Sequence, residues 1–188
     1  MDEVDVEFVK SLFKLKPVGE TETLFVSGTL VYEARERISA YAVDKETDYV
    51  LWLDSDMIFP PMTMLNLIGD IDGKDIVTGI YSTRRPPFTP TIYTMGAESV
   101  ESIRTFPEDR LFRIDACGFG CVLMRTEVLK KSFETFNTCF QPEHGFGEDL
   151  SFCRRALELG YEIYADPRIM LGHIGKTVIT RKTIKEES

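Results

Sequence analysis

The sequence predicts an α/β domain in which a mostly parallel sheet is flanked by helices. The apolar run Tyr49–Leu53 stops abruptly at Asp54, as expected for a central parallel strand buried on both faces. A helix over residues 62–68 and a second buried strand over residues 75–81 follow, which is βαβ alternation. Ligands of such sheets bind at the carboxyl ends of the strands, where Asp54 and Asp56 lie.

The remaining elements follow from periodicity and from turn residues. Before the first buried strand we predict a helix over residues 6–15, a short strand over 23–27 and an amphipathic helix over 30–42. After the second we predict a loop over 83–90, short strands over 91–95 and 111–114, and a longer strand over 116–124. Thr126 is expected to cap a short helix, and a helix over 148–159 leads into a strand over 161–165.

Composition places the chain among folded globular proteins. Its 188 residues fit one domain spanning 1–188, and 43% hydrophobic with 28% charged residues is the balance of a packed core with a solvated surface. The net charge of -9 disfavours general binding to nucleic acid, because the surface repels phosphate backbones. We therefore expect an enzyme-sized domain that does not bind nucleic acid.

Several features bear on the compartment. No apolar run approaches the roughly 20 residues of a membrane-spanning helix, and the acidic start lacks the features of a secretion signal. We expect no transmembrane segment and a cytoplasmic location. The four cysteines lie in apolar segments as reduced thiols do, and the absence of a C-x-x-C pair disfavours zinc.

Two acidic motifs and one histidine are candidates for chemistry. Asp54-Ser55-Asp56 places two carboxylates on a tight turn, where they suit Mn²⁺ or Mg²⁺; alternatively, one caps a helix and the other is solvated. Glu148-Asp149 opens a helix, and a carboxylate there would accept a proton from a hydroxyl acceptor. The alternative is that the helix dipole favours acids in any first turn and lowers their pKa. His173 is a candidate metal ligand if the fold brings it to Asp56.

Arg84-Arg85 is a further candidate for binding an anion. It precedes Pro86-Pro87 and suits a phosphate or an acceptor carboxylate, although two adjacent arginines are more often a solvated loop. Both interpretations stay open from the residues alone.

Taken together, these motifs resemble the GT-A glycosyltransferases, especially family 2-like members. The resemblance covers residues 24–176 and is most specific in DYVLWLDSDMIFPP and in GEDLSFCRRALELGYEIYADP ahead of LGHIGK. It implies a Rossmann-like GT-A fold, a nucleotide-sugar donor, a hydroxyl acceptor and a Mn²⁺ or Mg²⁺ cofactor. The implied residues are Asp56 as principal metal ligand, Asp54 on the ribose or the metal waters, His173 completing the metal shell, Asp149 as general base, Arg35 facing the nucleotide, and Gly118 and Gly120 near the donor sugar or acceptor.

The chain departs from this family at its start. Such enzymes begin with an apolar strand that cradles the nucleotide base, and nothing similar precedes Val6. Either the usual first strand is lacking or residues 23–27 replace it. Little sequence follows His173, so we expect a partner or another subunit of a homo-oligomer to supply the acceptor site. Glycosyl transfer is the leading function, with a noncatalytic nucleotide-sugar-binding domain and a sugar nucleotidylyltransferase as alternatives.

Overall fold

A computed structural model describes residues 4–96 and 99–175 of the chain. The helices in these residues are α1 (Val6–Lys14), α2 (Val31–Asp44), α3 (Thr63–Asp70), α4 (Thr126–Phe136) and α5 (Glu148–Glu158). The strands are β1 (Tyr49–Leu53), β2 (Met57–Ile58), β3 (Ile76–Ile80), β4 (Ile92–Met95), β5 (Val100–Ser102), β6 (Phe112–Ile114), β7 (Ala116–Cys117), β8 (Cys121–Arg125), β9 (Ile163–Met170) and β10 (Gly172–His173).

The main sheet is mixed and mostly antiparallel. Its five strands lie in the order β1-β8-β3-β9-β6, with β3 and β9 parallel and the other neighbouring pairs antiparallel. The prediction of a mostly parallel sheet was wrong, because β8 runs back between β1 and β3: Leu123 lies opposite both Leu51 and Val77. Two small sheets, β10-β2 and β5-β4-β7, complete the mixed α/β architecture.

Strand β1 lies at the edge of the main sheet and not at its centre. It pairs antiparallel with β8, so the predicted central parallel position was wrong. Its side chains nevertheless reach both faces: Val50 and Trp52 pack on one side of the sheet and Leu51 on the other. An uninterrupted apolar run indicates that both faces of a strand are covered by other residues. It does not indicate the direction of the strand or its neighbours in the sheet.

Helices cover both faces of the sheet. Alternate residues of β8 separate the two layers, because Val122 and Met124 pack toward α4 and α5 while Cys121 and Leu123 pack toward α1 and α3. The expectation of a sheet flanked by helices is confirmed. Among the described helices, none combines the length and the apolar character needed to cross a bilayer.

The first helix is fixed at its start and along its apolar side. Asp5 accepts a hydrogen bond from the backbone N–H of Glu7 at 2.8 Å, and Phe8 meets Phe59 edge to face at 5.9 Å between ring centroids. The strand predicted over residues 23–27 was wrong. That segment is irregular, and Phe25 is 66% exposed, because a short apolar run without a strand partner has no ladder to join.

The strand predicted over residues 116–124 is two strands in different sheets. Strand β7 belongs to the small sheet and β8 to the main sheet, and residues 118–120 connect them. Thr126 is the first residue of α4 and makes no cap; its Oγ1 lies 3.0 Å from Oγ1 of Thr47. The chain changes sheets at the glycines, which is a role that glycine commonly has at sharp bends.

A carboxylate pair between α3 and β9 makes stability depend on pH. Burial, and then the adjacent Asp166 carboxylate, raise the pKa of Asp70 to about 6, while the Arg168 guanidinium 2.9 Å away opposes the shift. Because the pKa of Asp70 is higher in the folded protein than in the unfolded chain, the stabilising contribution of Asp70 to the free energy of unfolding is fully present at low pH. It is lost as pH rises through about 6.

We therefore expect Asp70→Asn to stabilise the protein above this range. If the substitution removes about 1 kcal/mol of repulsion, the Tm at pH 7.5 rises by about 2 to 4 °C and the gain is smaller at pH 4.5. Thermal unfolding followed by circular dichroism at both pH values checks this. A lower Tm than wild type at pH 7.5 would mean that the ion pair with Arg168 outweighs the repulsion from Asp166.

Candidate functional site

A cleft of about 930 Å³ opens at the end of β1. Its walls come from the turn after β1, the loop after β3, strand β10 and the first turn of α5. The charged and histidine side chains that line it beyond the first helix are Asp56, Arg84, Arg85, Asp149 and His173. Segments from distant parts of the chain thus meet at one opening, which residues 4–6, Thr91, Tyr93 and Gly118 also line.

The Asp54-Ser55-Asp56 turn is held by backbone hydrogen bonds on both sides. Asp54 N–H donates to the carbonyl of Gly120 at 3.2 Å, and Met57 N–H donates to the carbonyl of Asp54 at 3.1 Å. Strand β2 then pairs with β10, which sets His173 opposite Met57, and Ile174 N–H donates to the carbonyl of Asp56 at 2.8 Å. The turn and the histidine are therefore joined by a short antiparallel ladder.

His173 faces Asp56, as the metal-ligand hypothesis required. Its Nε2 lies 3.4 Å from Oδ2 of Asp56, and its Nδ1 lies 2.8 Å from the carbonyl oxygen of Ser82. A carbonyl only accepts hydrogen bonds, so Nδ1 carries a proton and donates it to Ser82, and Nε2 is the ring nitrogen that faces the carboxylate. Tyr81 supports the ring edge to face at 5.1 Å.

This arrangement suits a divalent cation. Nε2 and a carboxylate oxygen, both common metal ligands, face each other at 3.4 Å, which is close enough for one cation to contact both. Metal-bound histidines are typically oriented by a hydrogen bond from the other ring nitrogen, as Ser82 provides here. Across residues 4–96 and 99–175 no group of three or more His, Cys, Asp or Glu side chains is placed to hold a metal. Two protein ligands are still compatible with Mn²⁺ or Mg²⁺, which commonly complete their shells with water and substrate phosphates.

Asp54 is turned away from this pair toward a buried arginine. Arg35, with only 8% of its side chain exposed, contacts Asp54 at 3.0 Å and Glu148 at 3.0 Å. The guanidinium also lies 5.0 Å from the ring centroid of Phe119 and 5.8 Å from that of Phe140. Desolvation raises the pKa of Asp54, and Arg35 opposes this shift. Arg35 thus links the two acidic motifs from beneath, and its predicted contact with a nucleotide stays a prediction.

Asp149 lies in the first turn of α5 and lines the cleft. Its Oδ1 accepts a hydrogen bond from Leu150 N–H at 2.7 Å. Burial raises the pKa of Asp149, more than the Leu150 hydrogen bond and the Arg35 charge lower it. The lowered pKa expected from the helix dipole was therefore wrong, because desolvation dominates here. A half-buried carboxylate with a raised pKa is suited to accept a proton.

Arg155 fixes the loop that carries α5 into the site, and it was not among the predicted site residues. It is 3% exposed and donates to the carbonyls of Cys139 at 3.0 Å and Gln141 at 2.6 Å, and to Glu143 Oε2 at 2.8 Å. The signal was an arginine on the apolar stripe of the helix beside Ala156. A charge at a core-facing position implies buried partners.

The two predicted glycines make room for Tyr81. A Cβ at Gly118 would overlap the Tyr81 hydroxyl, and a Cβ at Gly120 would lie 2.7 Å from its Cζ. The Tyr81 hydroxyl accepts a hydrogen bond from Gly120 N–H at 3.0 Å. Of the two glycines, Gly118 lines the cleft and Gly120 lies behind Tyr81. Tyr81 was not among the predicted site residues, although it is the last residue of a predicted buried strand.

Arg84 makes the remaining polar contact with Asp56. Its Nη1 lies 2.8 Å from Asp56 Oδ2, the same oxygen that faces His173, and 55% of the Arg84 side chain is exposed. Arg85 lies beside it on the cleft wall. The two adjacent arginines form a basic side of the cleft, whose lining also contains the carboxylates of Asp5, Asp56 and Asp149.

Comparisons with known proteins found a distant similarity in sequence and a similarity in fold. No family model matches the chain. The mannan polymerase complex subunit MNN9 of Candida albicans is 24% identical over 182 residues, covering 74% of this chain and 47% of the relative, so the chain spans about half the length of that protein. The crystal structure of A197 from STIV is similar in fold, with a TM-score of 0.50 at 16% identity over 81% of this chain and 79% of that one.

Proposed function

We propose that this chain transfers a sugar from a nucleotide-activated donor to a hydroxyl acceptor, with Mn²⁺ or Mg²⁺ bound at Asp56 and His173. The observation that carries the proposal is the 3.4 Å approach of His173 Nε2 to Asp56 Oδ2 in a cleft that also contains Asp149. A cation site and a half-buried base at one opening are what displacement of a nucleoside diphosphate by a hydroxyl requires.

The similarity to MNN9 supports the same reaction class. A mannan polymerase joins sugar units, and its name describes a complex to which that relative contributes one subunit. We propose a glycosyltransferase-related role for this chain on that basis, within a GT-A-like fold. Mannose donors are for this reason included in the test below.

In this proposal each residue of the site has its own role. When bound, the metal ion supplies positive charge that stabilises the leaving diphosphate. Asp56 and His173 hold that ion, and the ladder between β2 and β10 keeps them together. Arg35 orients Asp54 and Glu148 without entering the cleft. Asp149 accepts the proton of the acceptor hydroxyl as that oxygen attacks the anomeric carbon.

The test is a product analysis with a panel of UDP- and GDP-sugars, mannose donors included, with and without Mn²⁺. The proposal expects Mn²⁺-dependent release of nucleoside diphosphate, increased by the correct hydroxyl acceptor. Release of a nucleoside triphosphate from a nucleotide sugar and pyrophosphate would instead identify a sugar nucleotidylyltransferase. Donor binding by calorimetry without release across an acceptor panel would identify a noncatalytic binding domain.

A further inference from the structure

The side chain of Arg84 pairs with Asp56, the carboxylate that we assign to the metal ion. Arg84 Nη1 and His173 Nε2 approach the same oxygen, Asp56 Oδ2, at 2.8 Å and 3.4 Å. A guanidinium and a metal ion at one oxygen compete, because each neutralises the charge that attracts the other. We propose that Arg84 is a displaceable counter-ion: it pairs with Asp56 before the metal binds, and metal binding releases it to hold a phosphate group of the ligand. This inference rests on the proposed function, which places the metal at Asp56.

The Arg84–Asp56 pair is weak enough to exchange. More than half of the Arg84 side chain is exposed, at 55%, and its contact with Asp56 is through Nη1. Ion pairs of this kind contribute little, since water and salt screen them. Arg35 is the contrast in the same site, because it is 8% exposed and contacts two carboxylates at once. Burial and two carboxylate contacts therefore keep the Arg35 side chain in place, whereas the exposed Arg84 side chain can leave its partner.

Release requires motion of the side chain alone. The backbone just before Arg84 is fixed, because Thr83 N–H donates to the carbonyl of Thr89 at 2.9 Å and Ser82 pairs with Pro90 across the loop. The Ser82 carbonyl also orients His173. The loop can therefore keep the histidine aligned while the Arg84 guanidinium leaves Asp56.

The destination of the released guanidinium is the basic side of the cleft. Arg84 and Arg85 both line it, and guanidinium groups bind phosphate through two parallel hydrogen bonds. An anion attracted to a cation at Asp56 lies within one side-chain length of the Arg84 backbone, since the side chain already spans that distance. Metal and anion binding are then coupled through one residue.

The experiment titrates Mn²⁺ into the full chain without donor and measures affinity by calorimetry. Arg84→Ala removes the competitor, and we expect Mn²⁺ to bind about two- to fivefold more tightly than to wild type. Arg85→Ala is the matched control, because it removes the same charge from the next residue without the contact to Asp56, and we expect a smaller change. Asp56→Asn should abolish the binding in the Arg84→Ala background.

A second titration uses inorganic pyrophosphate at saturating Mn²⁺, where Arg84→Ala should bind about three- to tenfold more weakly than wild type. The inference is overturned, with the proposed function intact, if wild type binds Mn²⁺ and Arg84→Ala binds it no more tightly, or if Arg84→Ala and Arg85→Ala change Mn²⁺ affinity equally. Absence of Mn²⁺ binding in every variant overturns the metal site itself, and the inference with it.

Discussion

Asp149→Asn is expected to reduce turnover by about 10²- to 10⁴-fold, the usual effect of removing a general base. The substitution keeps the oxygen that accepts the Leu150 N–H and removes only the ability to take a proton. Since burial raises the pKa of Asp149, wild-type turnover should also fall as pH decreases through that raised pKa. Initial rates of nucleoside diphosphate release between pH 5 and 9 measure both effects.

Glu158→Gln is the control for this prediction, because it neutralises an exposed carboxylate at the other end of the same helix. It should leave the rate within about twofold of wild type, as expected for a surface residue away from the site. Mn²⁺ affinity should be similar in the two variants. If Asp149→Asn turned over as fast as Glu158→Gln, Asp149 would not be the base.

Arg35→Met is expected to lower the free energy of unfolding by about 2 to 4 kcal/mol, because it leaves two carboxylates without their shared cation. The value lies at or below the usual cost of breaking a buried pair, since Asp54 is 42% and Glu148 24% exposed and water replaces part of the lost interaction. Methionine preserves much of the packing against Phe119, so the loss reports mainly on charge. Urea unfolding followed by tryptophan fluorescence measures it.

Arg37→Met provides the matched control on the same helix. Arg37 is exposed, and its replacement should change the free energy of unfolding by less than about 0.5 kcal/mol. Equal unfolding midpoints for the two variants would show that Arg35 does not hold the acidic motifs together. Turnover by Arg35→Met should also fall, because the turn at Asp54 loses the contact that orients it.

Local pattern was enough to place most helices and the strands next to the site. The helices at residues 6–14 and 31–44 follow the predicted periodicity, and the abrupt end of the apolar run at Leu53 places the acidic turn. Strand direction was not predictable in this way. The antiparallel course of β8 depends on how the chain returns from the small sheet, and Gly118 and Gly120 mark a bend between β7 and β8 without fixing the direction of either strand.

The site was predictable as a set of residues and not as a set of contacts. Asp56 and His173 were selected by residue type, and their 3.4 Å approach depends on the pairing of two very short strands, β2 and β10. The contact of Arg84 with Asp56 joins a loop to a turn 28 residues earlier. Such contacts arise from tertiary packing, so no window of sequence contains them.

The most direct test of metal-dependent glycosyl transfer at this cleft is the initial rate of nucleoside diphosphate release as a function of Mn²⁺ concentration. Wild type is compared with Asp56→Asn and with Asp72→Asn, which removes the same charge from an exposed loop. We predict saturable Mn²⁺ dependence in wild type and Asp72→Asn, and loss of that dependence in Asp56→Asn. Full Mn²⁺-dependent release by Asp56→Asn would contradict the assignment of the metal to this carboxylate and the account built on it.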